Sequence, residues 1–229
     1  MKMAHIPLFV LAGVLALASP AAAQRQETER VDRTASIRAG GQLRIKNFSG
    51  TVTITGSRRA DVGIHAIRRA PRERLDNIKL EVRETSAGVT IEANRKSDGW
   101  RDRDNNVVDT QLDIEVPADV TLDVEVFSSD VKVVDVTGRQ RLHTFSGNVD
   151  VTGASGSVEA ETFSGDIELT LPQHAGADIR FNSFSGGIRT DLPITLLSKS
   201  KRDVRATLNG GGSDVRVKTF SGDVRLRSS

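Results

Sequence analysis

The sequence predicts an all-β protein, a β-solenoid or β-helix-like stack of short strands wound in 18-residue coils, and three observations carry that prediction. The first is a recurring tripeptide, Phe-Ser-Gly or a variant, at Phe48-Ser49-Gly50, Phe127-Ser128-Ser129, Phe145-Ser146-Gly147, Phe163-Ser164-Gly165, Phe184-Ser185-Gly186 and Phe220-Ser221-Gly222. From Phe127 the steps are 18, 18, 21 and 36 residues, the last being twice the period. The second is a half-period of nine, marked by Gly138, Gly147, Gly156 and Gly165, so each half-unit reads as one short strand and one tight turn. The third is alternation: Val149 and Val151, Val158 and Ala160, Ile167 and Leu169, Val215 and Val217, and Val224 and Leu226 are each separated by one residue. A period of two belongs to strands with one buried and one wet face. Periodicity is silent on pairing, so an antiparallel β-sandwich with a hairpin at each Ser-Gly is the alternative architecture.

Along the chain, Lys2, an apolar run over residues 6–18 and Ala21-Ala22-Ala23 before Gln24 form the pattern of a secretory signal peptide, residues 1–23. Cleavage near Ala23-Gln24 places the mature protein in the periplasm or outside the cell. No later stretch has the roughly 18 continuous apolar residues of a spanning helix, so no transmembrane span is expected in the mature protein. Residues 24–35 are expected to be a flexible mature N-terminus, and residues 36–229 a single β-strand-repeat domain. Strands continue through the amino-terminal half at Leu43 and Ile45, Val52 and Ile54, Val62 and Ile64, Leu80 and Val82, Val89 and Ile91, and Leu112, Ile114 and Val116. Pro71-Arg72-Glu73-Arg74-Leu75 reads as one helical turn with Pro near its start. Residues 94–108 and 198–213 read as surface excursions, the second replacing a whole coil between Phe184 and Phe220.

At each corner Gly reaches positive φ without steric cost and Ser bonds nearby backbone. Stacking coils about 4.8 Å apart superposes the six Phe rings, which are expected to seal the core. On that reading Phe145→Ala and Phe163→Ala each cost about 3–5 kcal/mol. Asp130, Asn148, Asp166 and Asp223 follow the corners and suit Asx-type turn bonding. A calcium ladder would place similar carboxylates there, but the Gly-Gly-x-Gly-x-Asp pattern is missing.

The chemical inventory is sparse. With no Cys, disulfides, thiolate metal sites and a Cys-linked lipid anchor are excluded. The mature chain balances 31 basic against 30 acidic residues, which does not suit a nucleic-acid binder. His65 and His143 sit at outward strand positions and His174 in a turn, as surface histidines do. No His-Glu-x-x-His, Gly-x-Ser-x-Gly or phosphate-loop pattern occurs. Asp150, Glu159, Glu161 and Glu168 lie at outward positions, where charge keeps a solenoid soluble, although polysaccharide-cleaving β-helices place carboxylates similarly. No catalytic residue, metal ligand or cofactor is expected. Candidate partner-binding residues are Trp100, Arg101 and Arg103 in the first excursion and Lys199, Lys201 and Arg202 in the second, where an aromatic ring can stack and cations can meet an anionic surface. Arg58, Arg59, Arg68, Arg69, Arg72 and Arg74 form a further basic stretch. Arg225 and Arg227 flank Leu226 as if to blunt a last open strand.

The residues 41–52, Gly-Gln-Leu-Arg-Ile-Lys-Asn-Phe-Ser-Gly-Thr-Val, together with Leu112-Asp113-Ile114-Glu115-Val116-Pro117 and the following Ser-Gly-Asp/Asn-Val/Ile units, resemble the bacterial putative-adhesin β-strand-repeat family, exported domains of unknown function. The resemblance covers about residues 36–229 and implies a solenoid-like fold and an envelope location. The expected function is that of an exported non-catalytic envelope protein presenting a rigid β surface to an envelope protein, glycan or anionic surface polymer. An envelope-stress-sensing or regulatory binding module is the alternative, and a carbohydrate-active enzyme a third.

Overall fold

A computed structural model describes residues 25–97, 106–200 and 202–229. The expected signal peptide lies outside them. The elements are β1 (Gln26–Ser36), β2 (Gln42–Ser57), β3 (Asp61–Pro71), α1 (Arg72–Asn77), β4 (Ile78–Glu84), β5 (Gly88–Lys96), β6 (Asp109–Pro117), β7 (Thr121–Val134), β8 (Gln140–Ser146), β9 (Val149–Thr152), β10 (Val158–Ser164), β11 (Ile167–Leu171), β12 (Ala177–Ser185), β13 (Ile188–Thr190), β14 (Ile194–Lys199), β15 (Asp203–Leu208), β16 (Ser213–Ser221) and β17 (Val224–Ser228).

Each coil but the outermost β5/β6 is a pair of strand segments meeting at a Phe-Ser-Gly bend or its Phe-Ser-Ser variant, and equivalent segments of neighbouring coils pair in parallel. The segments before the bends form one wall and those after it a second. Parallel pairing rules out the hairpin sandwich, because a hairpin joins only antiparallel strands. Residues opposed across coils are alike, so columns form. Ile45, Val124, Leu142, Ala160, Val217 and Phe181 make one column in the first wall, and Val52, Val131, Val149, Ile167, Val224 and Ile188 make one in the second. All but Ile188 are buried. One apolar cluster fills the space between the walls, and burying each such side chain is worth about 1.5–3 kcal/mol.

The stacking order departs from the sequence order. Along the stack the coils run β5/β6, β2, β7, β8/β9, β10/β11, β16/β17, β12/β13. At either end a terminal segment, β2 or β16/β17, is threaded one coil in from the outermost. The 36-residue step therefore does not mark a missing coil. Residues 198–213, expected as a surface excursion, instead complete an antiparallel hairpin: β15 pairs with β12 and with β14. β17 lies between β11 and β13, so Arg225 and Arg227 guard no open edge, and Arg227 pairs with Glu168 at 3.2 Å.

Three further expectations meet the structure. Residues 26–36 are not a flexible tail: β1 pairs antiparallel with β3 over its whole length. It has little apolar surface to bury, and main-chain pairing, an ion pair of Glu29 with Arg68 and a 2.5 Å contact of Asp32 with His65 Nδ1 hold it. The helical turn is present as α1, with Pro71 as its N-cap residue. The excursion over residues 94–108 starts later than expected, since β5 runs to Lys96. No helix among the described residues is long and apolar enough to cross a membrane.

Candidate functional site: the aromatic corner

The corner is built by strand parity. Leu142 points inward, so Thr144 does too and Phe145 must point outward. The same parity holds in all six Phe-bearing coils: Asn47, Val126, Thr144, Thr162, Ser183 and Thr219 are buried, and the Phe that follows each is 41–53% exposed. The rings superpose as expected but do not seal the core.

They form one ladder in the order Phe48, Phe127, Phe145, Phe163, Phe220, Phe184, with centroids 4.7–5.0 Å apart and planes within 8° of parallel. Its length is roughly 24 Å, five steps at the inter-strand spacing. At one end the Arg202 guanidinium carbon lies 4.1 Å from the Phe184 centroid, a cation–π cap. Because each inner ring is stacked on both faces, the ladder offers a partner ring edges rather than ring faces.

Glycine makes this stacking possible. At Gly165, φ is +152°, and a Cβ there would lie 2.1 Å from the Gly147 carbonyl oxygen of the neighbouring coil. In β7 Ser129 takes the equivalent place without positive φ, and its hydroxyl meets Asn47 Nδ2 at 3.3 Å. Beyond the glycines runs a row of side-chain-to-backbone bonds between coils. Asp130 accepts from the Asn148 N–H at 2.8 Å, Asn148 from Asp166 at 2.9 Å, Asp166 from Asp223 at 2.8 Å and Asp223 from Gly187 at 3.0 Å. The expected Asx bonding thus joins neighbouring coils instead of closing turns. No group of three or more potential metal-binding side chains occurs among the described residues.

Beside the ladder lies a groove of about 550 Å³, walled by Lys46, Glu125, His143, Glu161, Asn182 and Lys218 of the first wall. Its charges are paired across coils. Lys46 contacts Glu125 at 3.0 Å, Lys218 contacts Glu161 at 2.6 Å, and His143 Nδ1 lies 3.8 Å from Glu161. His143 Nε2 is buried and has no hydrogen-bond partner. An apolar ridge beside a charge-balanced groove is chemistry for holding a partner.

Of the candidate residues from the sequence, Trp100, Arg101, Arg103 and Lys201 lie outside the described residues. Lys199 ends β14, exposed, and Arg202 caps the ladder. The basic stretch does not form an open patch. Arg68 is buried against Glu29 and the Ile78 carbonyl, Arg59 pairs with Asp61 and Glu115, and Arg72 with Asp76 and Glu27. The hydrogen bonds that Arg59 donates to Asp61, then Glu115, raise its pKa above the ordinary value. The sequence reading missed the outward ridge, although parity counted from Leu142 gives it. It also missed a row of Arg216, Arg180 and Arg205 in register on adjacent strands.

A family model described as Toastrack DUF4097 matches residues 109–227. Among solved structures, a "putative cell adhesion protein" from Clostridium sporogenes aligns with a TM-score of 0.64 at 11% identity, covering 88% of this chain and 100% of its own. A "putative adhesin" from Bacteroides fragilis aligns at 11% identity over 88% of this chain and 97% of its own, with a TM-score of 0.33. No curated protein matches this chain.

Proposed function

This chain belongs to the Toastrack DUF4097 family, and from that premise we propose that it is an exported, non-catalytic envelope protein that acts by presenting its aromatic ridge and groove to another envelope component. The observation that carries this reading is the ladder's exposure. Six half-exposed Phe rings in one unbroken row form the kind of contiguous apolar surface that soluble proteins keep for partners. Stacking already satisfies the ring faces, so the ladder holds its shape without a partner and is preorganised for one. Ring edges carry the positive part of the quadrupole and suit aliphatic groups and oxygen acceptors. The paired charges of the groove, Lys46 with Glu125 and Lys218 with Glu161, add polar anchors without a net field. The name of the Clostridium sporogenes neighbour is in keeping with adhesion.

The test is co-sedimentation of the exported chain with envelope fractions of its own cells, comparing wild type with a Phe145→Ser, Phe163→Ser variant whose cooperative melting has been verified. The expected result is a loss of binding of about tenfold or more, since removal of central aromatic anchors typically costs that much. Unchanged binding, or glycan cleavage by the wild type that a carboxylate substitution abolishes, overturns the proposal.

A further inference from the structure

A second surface lies at the β14 end of the stack, and its chemistry differs from that of the ridge. Beyond β16/β17 the outermost coil is β12/β13, after which only the first wall continues, with β15 and then β14. The second wall has stopped at β13, so among the described residues no strand of that wall faces the end of the overhang. Leu196, opposite the buried Ala206, is on the inner side of that overhang and is 54% exposed. Leu197 sits where the register slips between Leu196 and Ser198 and is 65% exposed. Two adjacent leucines therefore stand in water on an edge strand.

Cations surround them. Lys199 ends the same strand, Arg202 follows it, and Arg205 and Arg180 oppose one another on the next two strands, all exposed. Among the described residues Arg180 has no ion pair, while the arginines directly opposite it on both sides, Arg205 and Arg216, each contact a carboxylate on their own strand, Asp203 at 3.5 Å and Asp214, and still place like charges at inter-strand distance. Such pairs are destabilising in isolation. The charge is concentrated by sequence as well: residues 172–229 carry ten Lys and Arg against five Asp and no Glu, whereas residues 109–171 carry three basic against thirteen acidic residues.

We infer that this end of the stack docks on an anionic phospholipid surface, with Leu196 and Leu197 entering the headgroup boundary and Lys199, Arg202, Arg205 and Arg180 engaging lipid phosphates. A soluble polyanion would use the cations alone; the leucines favour a bilayer, because apolar burial combined with cationic attraction is what interfacial binding requires. Adjacent strands lie about 4.8 Å apart, which puts Arg205 and Arg180 about 5 and 10 Å behind the β14 edge, within about one Debye length of a headgroup layer. Guanidinium forks suit bidentate phosphate contacts. The stack then stands end-on, leaving the aromatic ridge along its flank free for a partner. This inference rests on the envelope location proposed above, but, apart from Arg202, which also caps the ladder at Phe184, it uses residues separate from the ridge.

The experiment is flotation of the exported chain with vesicles of phosphatidylcholine alone and of phosphatidylcholine with phosphatidylglycerol, at rising salt. Expected is binding to the anionic vesicles only, weakening as salt rises. Leu196→Ser with Leu197→Ser is expected to lower it about tenfold, and Arg180→Gln with Arg205→Gln to lower it by a similar factor and flatten the salt dependence. Phe145→Ser with Phe163→Ser is expected to leave vesicle binding unchanged, which separates this site from the ridge. Equal binding to neutral vesicles, no binding to anionic ones, binding indifferent to the two leucines, or a dimer through β14 that buries them without vesicle binding would each overturn the inference.

Discussion

The two ends of the stack are built by the same threading rule and finished in opposite ways. At the β1 end, a complete coil, β5/β6, lies outside β2 on both walls, and antiparallel strands follow on each: β4 on one, β3 and β1 on the other. Leu75 of α1 closes a small cluster with Ala70, Ile78 and Val108, and Arg59, Arg68, Arg72, Arg83 and Arg95 all have carboxylate partners. The β14 end has a hairpin on one wall only, two exposed leucines and, beside an Arg205 paired with Asp203, an Arg180 without an ion pair among the described residues. Open sheet edges are hazards that proteins normally blunt. One end obeys that rule in full. The other keeps its bulge but leaves apolar and cationic surface bare, as the membrane-docking surface proposed above requires.

The contrast is sharpest for arginine, and the largest effect is expected there. Arg68 is buried between Glu29 and the Ile78 carbonyl, so Arg68→Ala strands both partners and is expected to cost about 2–4 kcal/mol, discounted from a fully buried pair because Glu29 is partly exposed. Arg180→Gln, at the other end, is expected to change stability by less than about 0.5 kcal/mol. Urea denaturation of both variants checks the pair; equal losses would mean that the ends are not differently finished. Leucine gives the second comparison. Leu75→Ala is expected to cost about 2–3 kcal/mol as a core truncation, whereas Leu197→Ala, which removes a side chain already in water, is expected to leave the melting temperature within about a degree or two.

Between the ends, Phe145→Ala tests the ladder. Full burial of the ring would make the loss about 3–5 kcal/mol. With 47% of the residue exposed and stacking contacts to Phe127 and Phe163 worth about 0.5–1.5 kcal/mol each, about 1–3 kcal/mol is expected instead. Denaturant midpoints near the upper figure for burial would show that the rings act as core.

What the sequence made legible follows from which structural facts are local. Parallel coils in register repeat a period of two and a period of 18, so Val131, Val149, Ile167, Ile188 and Val224 could be aligned as a column from spacing alone. Stack order is not local. Every coil offers its neighbours the same apolar columns, so the pattern contains nothing that says β16/β17 should enter between β10/β11 and β12/β13, and a step of 36 looks like a skipped coil. The row of Arg216, Arg180 and Arg205 is invisible for the same reason: only that threading and the hairpin bring them together. β1 was hidden because its sequence, Gln-Glu-Thr-Glu-Arg-Val-Asp-Arg-Thr-Ala-Ser, lacks a continuous apolar alternation. An edge strand held by main-chain bonds does not need one. The ridge is the instructive case, since parity and hydrophobicity disagreed over Phe145 and parity won. Strand geometry fixes direction at each residue, while hydrophobicity only biases it.

The smallest expected loss from removing a contact lies where ladder and basic end meet. Arg202 stands over the outer face of Phe184, whereas among the described residues no ring or cation is stacked on the outer face of Phe48. If the guanidinium caps the ladder, Arg202→Ala should cost about 0.5–1 kcal/mol, the scale of an exposed cation–π contact, and Arg202→Lys should recover part of it, because an ammonium keeps the charge but loses the planar stacking. Equilibrium denaturation in low and high salt separates capping from general electrostatics. A capping loss persists in salt, since its contact distance is well inside the screening length. A loss that vanishes in salt would instead assign Arg202 wholly to the cationic collar, leaving both ends of the ladder uncapped.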